Sequence, residues 1–501
     1  MYTNGVSLDD ISKHVLQKHG ISMSRKAVHY LLNPPRKGTM SSKRYKGFIQ
    51  ARVPPKRNTK EKKEHPDFHF TSAQVKLINE LSYLCSDNTL TLSVDNKNKV
   101  EVGIPATSRR SQIRTFYLTE DSPNYNDHDF PHSNCKLVPA GYQILQHRTF
   151  RSSSVQSRRG NFEIYSKRRS RSVDSSLTDV KKLNKKICID RVGRERLKRP
   201  LSGPLKVHVF PSRVIEATNV LHANHLMELI LGEKKFRIID NVVLIADGGP
   251  DWSVKGVINF LSMGYLWKNL KLDSLVIQCY APGHSRFNPI ERSWSFLTKK
   301  IIGVVLPDDI DGKVPDVNDK AGWLKVLDNA TELCSKFWDG KIYDGFRIKT
   351  KNFFSDDPLI NPIKETHKIF KDFSNTNKTQ LKQREDLKAL QTVYSFLVKH
   401  SNRKAYQLEF FRCQDDTCDH CKELPSRENK FLDIVKLFGG SCPVPQESQV
   451  YKNHYKSLLE MLRNPHSNRK KTTSHGICKE GCSYSFFSDA DKKRHMLLMR
   501  H

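Results

Sequence analysis

No run of roughly 18 apolar residues, the length a membrane-spanning helix needs, occurs in the 501-residue sequence, so no membrane partner is expected. The first ten residues, Met1 to Asp10, lack a basic stretch followed by an apolar one, and no secretory signal is expected either. Acidic residues are the scarcer charge: 53 Asp and Glu stand against 85 Lys and Arg, a formal net charge of +32. Such an excess, spread along several stretches, suits a polyanion such as nucleic acid, with a merely soluble basic surface as the plainer reading. A disulfide framework is missing as well. Of 11 cysteines, Cys85, Cys135, Cys188, Cys279 and Cys334 are isolated and the rest lie beyond residue 412, which fits a reducing compartment with metal sites at one end.

What is present centres on residues 241–307. Val242-Val243-Leu244-Ile245-Ala246 is closed by Asp247-Gly248-Gly249, and Leu275 to Tyr280 runs into Ala-Pro-Gly-His-Ser-Arg-Phe-Asn-Pro-Ile-Glu-Arg-Ser-Trp, residues 281–294. Short β-branched runs ended by Gly or Pro read as buried strands, whereas Ile290, Trp294, Leu297 and Ile301 share a helical stripe. Asp247 then leaves one strand end and Glu291 opens the helix after the next strand, so the two carboxylates can converge on divalent metal. The same residues also read more plainly. Asn288-Pro289-Ile290-Glu291 is a good helix start, with Asn288 as cap and Glu291 capping back, and Asp247-Gly248-Gly249 is a serviceable turn.

Asn-Pro-Ile-Glu-Arg-Ser-Trp after a strand, with an earlier strand ending in Asp, resembles the second half of the catalytic core of DDE transposases of the mariner kind. The longer string Tyr-Ala-Pro-Gly-His-Ser-Arg-Phe-Asn-Pro-Ile-Glu is similar to a group of transposase-like proteins encoded in many animal genomes. The resemblance implies an RNase H-like fold with a first Asp upstream in a β-hairpin. Leu90 to Val94 alternates as a strand, Asp95-Asn-Lys-Asn reads as the turn, and Lys99 to Val102 alternates again. By resemblance, Asp95, Asp247 and Glu291 would bind two magnesium ions, or manganese, hydrolyse a phosphodiester at a transposon end and direct the freed 3′ hydroxyl at target DNA. The long separation of Asp95 from Asp247 implies an insertion, at about 105–203, whose Ser- and Arg-rich stretch from 151 to 172 has the composition of a disordered segment.

The remaining chain supplies the flanks of a multidomain α+β and α architecture. Residues 1–50 read as a helix-turn-helix: Ile11, Val15 and Leu16 stripe a first helix ending near Gly20, and Ala27, Val28, Leu31 and Leu32 stripe a second stopped by Pro34-Pro35. In that reading Arg25, Lys26 and His29 face a DNA major groove; a ligand-free helical hairpin is the other reading. A basic linker at 51–70 precedes the core at 71–310, taken as a mixed sheet with flanking helices. A helical extension follows at 311–400, then a Cys/His zinc-binding region at 401–501. There Cys478, Cys482, His495 and His501 have the spacing of a two-Cys, two-His zinc finger, with Phe486 as its core aromatic. Cys413, Cys418 and Cys421 suggest a second zinc site, with Cys442 downstream and the fourth ligand not set by spacing.

Together these features read as a nuclear, DNA-binding, transposase-like protein whose partner is DNA and which is open to homo-oligomerisation. The alternatives are a catalytically silent, domesticated transposase-derived DNA-binding protein, or a zinc-finger regulator whose middle domain only mediates assembly.

Overall fold

The computed structural model describes residues 8–24, 27, 28, 65–97, 99–103, 135–146, 187–190, 193–197, 200–236, 238–316, 318–413, 415, 417–424, 428–463, 476–478, 482 and 484–499. The chain divides into two compact units, residues 1–64 and 65–501.

In the first unit, helix α1 (Leu8–His19) ends at Gly20, whose φ of +66° is the left-handed conformation glycine adopts freely at a helix C-terminus. Ser12 Oγ donates to Met23 O at 2.5 Å, so the chain folds back along α1 after Gly20, and Val28 is buried. Arg25, Lys26 and His29, and everything from His29 to Glu64, lie outside the described residues.

In the second unit, the two apolar runs form strands β7 (Asn241–Ala246) and β8 (Ser274–Cys279), every residue of which is buried. Parallel strands covered on both faces need such unbroken apolar runs, which is why neither alternates. They belong to a ten-stranded mixed sheet. At its centre β1 (Thr89–Asn96), β3 (Lys136–Ile144) and β6 (Leu205–Pro211) form an antiparallel meander, and β7 and β8 continue in parallel on the other side of β1. Strand β10 (Phe346–Asn352) pairs in parallel beyond β6 and carries the short edge strand β9 (Ile342–Tyr343), and the hairpin β11 (Ser401–Lys404) and β12 (Gln407–Phe411) extends the edge beyond β8. The central sheet thus recruits chain from both the 311–400 segment and the Cys/His region.

The turn read at Asp95 to Asn98 is not where the hairpin closes. Asp95 lies within β1, paired with Gly141 of β3, and Lys97 N still donates to Pro139 O at 2.8 Å. The short strand β2 (Val100–Glu101) pairs with the same β3, so the pairing runs past Asp95, and the link from β2 to β3 spans residues 102–135. A single long partner satisfies the backbone of both segments, which outweighs the turn preference of Asp and Asn.

Helices cover both faces, and the chain beyond residue 310 adds, among others, Lys320–Trp338 (α6), Ile360–Asn375 (α7), Asp419–Lys422 (α10), Lys430–Leu437 (α11) and Leu458–Arg463 (α12). Asn219–Leu231 (α3) and Val257–Asn269 (α4) pack on the face lined by Leu90, Leu92, Val242 and Leu244. Phe68–Leu84 (α2) covers Val243, Ile245 and Val276 on the other, and Ile290–Ile301 (α5) lies over β1 and β3 on that same side. Within the 105–203 stretch, Ile187–Ile189 and Glu195–Leu197 (β4 and β5) form a small ribbon held to α2 by a buried Arg196–Glu80 ion pair of 2.7 Å. Among the described residues no helix is long and apolar enough to cross a membrane.

Candidate active site and metal centres

Alternation along the strands decides which way the acids face. On β1, Leu90, Leu92 and Val94 point into the α3–α4 core, so Ser93 and Asp95 point to the opposite face. On β7, Val243 and Ile245 point to that opposite face too, and Asp247 continues their parity. Ser93 is in register with Ile245, so Asp95 and Asp247 stand side by side where two parallel strands end. Asp247 Oδ1 accepts from Gly249 N at 2.8 Å, and Gly248 has φ +79°, so the turn is also real: it is the device that ends β7 at this point.

Glu291 is brought to the same place by α5. Burial, the negative charges of Asp247 and Glu291, and a hydrogen bond shared with Glu291 push the Asp95 carboxyl well above the usual carboxylate range. The three acids predicted from sequence therefore converge. Asn288, however, does not cap α5 with its side chain: Asn288 Nδ2 donates to Val94 O at 3.0 Å and its Oδ1 accepts from Ser93 Oγ at 2.6 Å. The first helical amide, Ile290 N, instead donates to Ser93 Oγ at 3.0 Å. A serine two residues before Asp95, on the same face, thus supplies the cap from another element and sets Glu291 beside Asp95. Gly141, opposite Asp95, leaves the space in which α5 sits; a Cβ there would stand 2.7 Å from Trp294 Cη2 and 2.8 Å from Ile290 Cδ1.

Other polar groups flank the acids. Asp251 turns toward Asn96, whose Nδ2 donates to its Oδ2 at 2.9 Å; burial, then Asp247, raises its pKa to about 6. Lys97 is depressed to about 8 by burial, with Glu291 among the charges opposing that shift. His284 is buried and stacks on Phe68 with ring centroids 4.1 Å apart, which gives this loop histidine a packing role.

The C-terminal region holds two Cys/His clusters that can bind a metal such as zinc. In one, ligand atoms of His400, Cys413, Cys418 and Cys421 all lie within 4.8 Å of one another. His400 Nε2 is 3.5 Å from both Cys418 Sγ and Cys421 Sγ. Its Nδ1 is 2.8 Å from Phe396 O, a carbonyl that can only accept, so Nδ1 carries the proton and Nε2 is left for metal. Cys442 is not part of this cluster; it is fully buried beside Glu409, whose Oε1 accepts from Cys442 N. Sequence reasoning missed His400 because it lies upstream of the cysteines, brought back to them by the β11–β12 hairpin. In the other cluster Cys478, Cys482 and His495 come together, with Cys482 Sγ 3.3 Å from His495 Nε2; His501 lies outside the described residues. Phe486 is buried as expected, and Tyr484 stacks on His495.

Set against protein families, curated proteins and solved structures, the chain matches none of them.

Proposed function

We propose that Asp95, Asp247 and Glu291 form a metal-dependent phosphodiester-cleaving centre acting on DNA, in an RNase H-like, DDE-type transposase core. The observation that carries it is the meeting of three carboxylates, drawn from β1, the end of β7 and the start of α5, at the ends of parallel strands. The mixed sheet with helices on both faces, its first Asp on a strand paired antiparallel with β3, is consistent with that reading.

The donor set fits a hard divalent cation such as magnesium or manganese. It is all oxygen, and burial, together with the repulsion of Asp247 and Glu291, disfavours the charged form of Asp95, a penalty that a bound cation offsets. When bound, such ions supply an activated hydroxyl and offset charge on the leaving oxygen. The chain's own part is positional. Ser93 holds α5 against β1, the Gly248 turn holds Asp247 at the strand end, and Asn96 draws the Asp251 side chain to itself. The net charge of +32 supports a polyanionic substrate, and the N-terminal segment and nuclear location belong to the same reading.

The test is nicking of supercoiled or transposon-end DNA with magnesium or manganese, comparing the intact chain with an Asp247→Asn, Glu291→Gln double variant. Nicking that vanishes in the variant supports the centre. An intact chain that binds DNA but is as inert as the variant would replace this reading with a catalytically silent DNA-binding protein.

A further inference from the structure

Three helices enclose a groove of about 1110 Å³ far along the chain from the acids: Lys378–Gln383 (α8), Glu385–Lys399 (α9) and Asp489–Met499 (α13). Lys378, Lys382 and Lys388 line it from α8 and α9, and Lys492 and Lys493 from α13; Asp489 is the single acid among its lining residues. Among the described residues only Lys388 of these five is in an ion pair, with Glu385. The apolar part of the lining is Leu381, Met496 and Leu497, and no aromatic ring is among the lining residues.

We infer that this groove seats the phosphate backbone of duplex DNA. The inference rests on DNA being the substrate, as proposed above. Lysines on both walls with one acid between them complement a string of phosphates, and an ammonium binds phosphate as a point charge without demanding one geometry. The absence of rings argues against single strands, which are held by base stacking. One wall depends on the metal cluster. Helix α13 carries His495 and is fastened to the core by Gln391 Nε2 donating to Leu498 O at 3.0 Å and Arg494 Nη1 donating to Thr376 O at 2.7 Å. These contacts keep Lys492 and Lys493 opposite α8, and a metal held by Cys478, Cys482 and His495 would fix the same helix further.

The test uses the full chain with its zinc content verified, a fluorescent duplex of random sequence, and anisotropy titrations at several salt concentrations. A variant with Lys378, Lys382, Lys492 and Lys493 each replaced by Gln is compared with one carrying Gln at Lys336, Lys341, Lys349 and Lys436, exposed lysines outside the groove. The groove variant is expected to weaken binding and to lower the slope of log K against log salt by about 3 to 4, near 0.9 for each lost phosphate contact, at unchanged zinc content. The control should keep its slope. Equal slopes in wild type and groove variant, or an equal drop in the control, overturn the inference. So does displacement of the duplex by a poly-glutamate peptide at matched charge, which would mark the groove as a site for acidic protein segments. Nicking by the same preparations separates the two proposals: nicking with an unaltered slope leaves the acid centre standing alone, and a lowered slope without nicking leaves the groove.

Discussion

Ser93 shows how much one side chain can decide. Its hydroxyl donates to Asn288 and accepts from Ile290 N, all three residues being buried, so Ser93→Ala leaves two groups without partners. Each unsatisfied group costs about 1–3 kcal/mol. The variant should unfold at lower urea and lose nicking by more than its unfolded fraction explains, because Glu291 is no longer held beside Asp95. Full activity per folded molecule would remove Ser93 from its positioning role. A second group of residues predicts acid sensitivity. His208 on β6 and His222 and His225 on α3 gather round Tyr142 on β3, whose hydroxyl lies 2.7 Å from His222 Nδ1 and 2.9 Å from His225 Nδ1. Burial holds His208 and His222 at about 3, with Lys351 and Lys206 also disfavouring the cation at His208. Unfolded histidines titrate near 6.5. The unfolded chain therefore takes up protons that the folded one refuses, and the stability present above about pH 6.5 is lost progressively as pH falls toward 3. The urea midpoint should drop from pH 7 to pH 5, and His208→Gln should flatten that dependence; a profile identical to wild type would show that His208 does not contribute.

At the scale of elements, the close approach of α5 to the sheet is what assembles the acids. The apolar spacing of Ile290, Trp294, Leu297 and Ile301 was sufficient to read α5 and its buried stripe, all four being buried. Nothing in that spacing shows that the surface receiving it is β1 and β3, or that Gly141 makes room. Gly141→Ala would set a methyl against Trp294 and Ile290. Overpacking of this kind costs about 1–3 kcal/mol, met here by α5 moving outward. We expect a lowered melting temperature together with a nicking rate reduced more than that of an equally destabilised variant remote from α5. Unchanged nicking would mean that α5 tolerates displacement without moving Glu291.

Over the whole molecule, the Cys/His clusters join the chain's end to its middle. His400 stands between α9 and β11, and α13 packs on α9, so metal at either cluster bears on the helices that cover α4. Elemental analysis should find two zinc ions per chain. Stripping them with a strong chelator should lower the melting temperature and expose the segment beyond residue 400 to protease, because such sites contribute folding free energy directly. His400→Ala should retain one zinc; retention of two would return the fourth ligand to another residue.

Local chemistry made several features legible. The strands β7 and β8, the α5 stripe, the three acids and all five cysteines of the two clusters follow from runs, parity and spacing that short segments carry on their own. Long-range pairing decided the rest. β3 is long enough to pair with both β1 and β2, so Asp95 sits in a strand and not in a turn. Ser93 could displace Asn288 as the cap of α5 only because β1 and α5 meet in space. His400 joined the three cysteines through a hairpin that the sheet edge at β8 stabilises. A sequence pattern reports what a residue prefers among its neighbours in the chain, whereas caps, clearances and fourth ligands depend on which distant backbone still needs a partner.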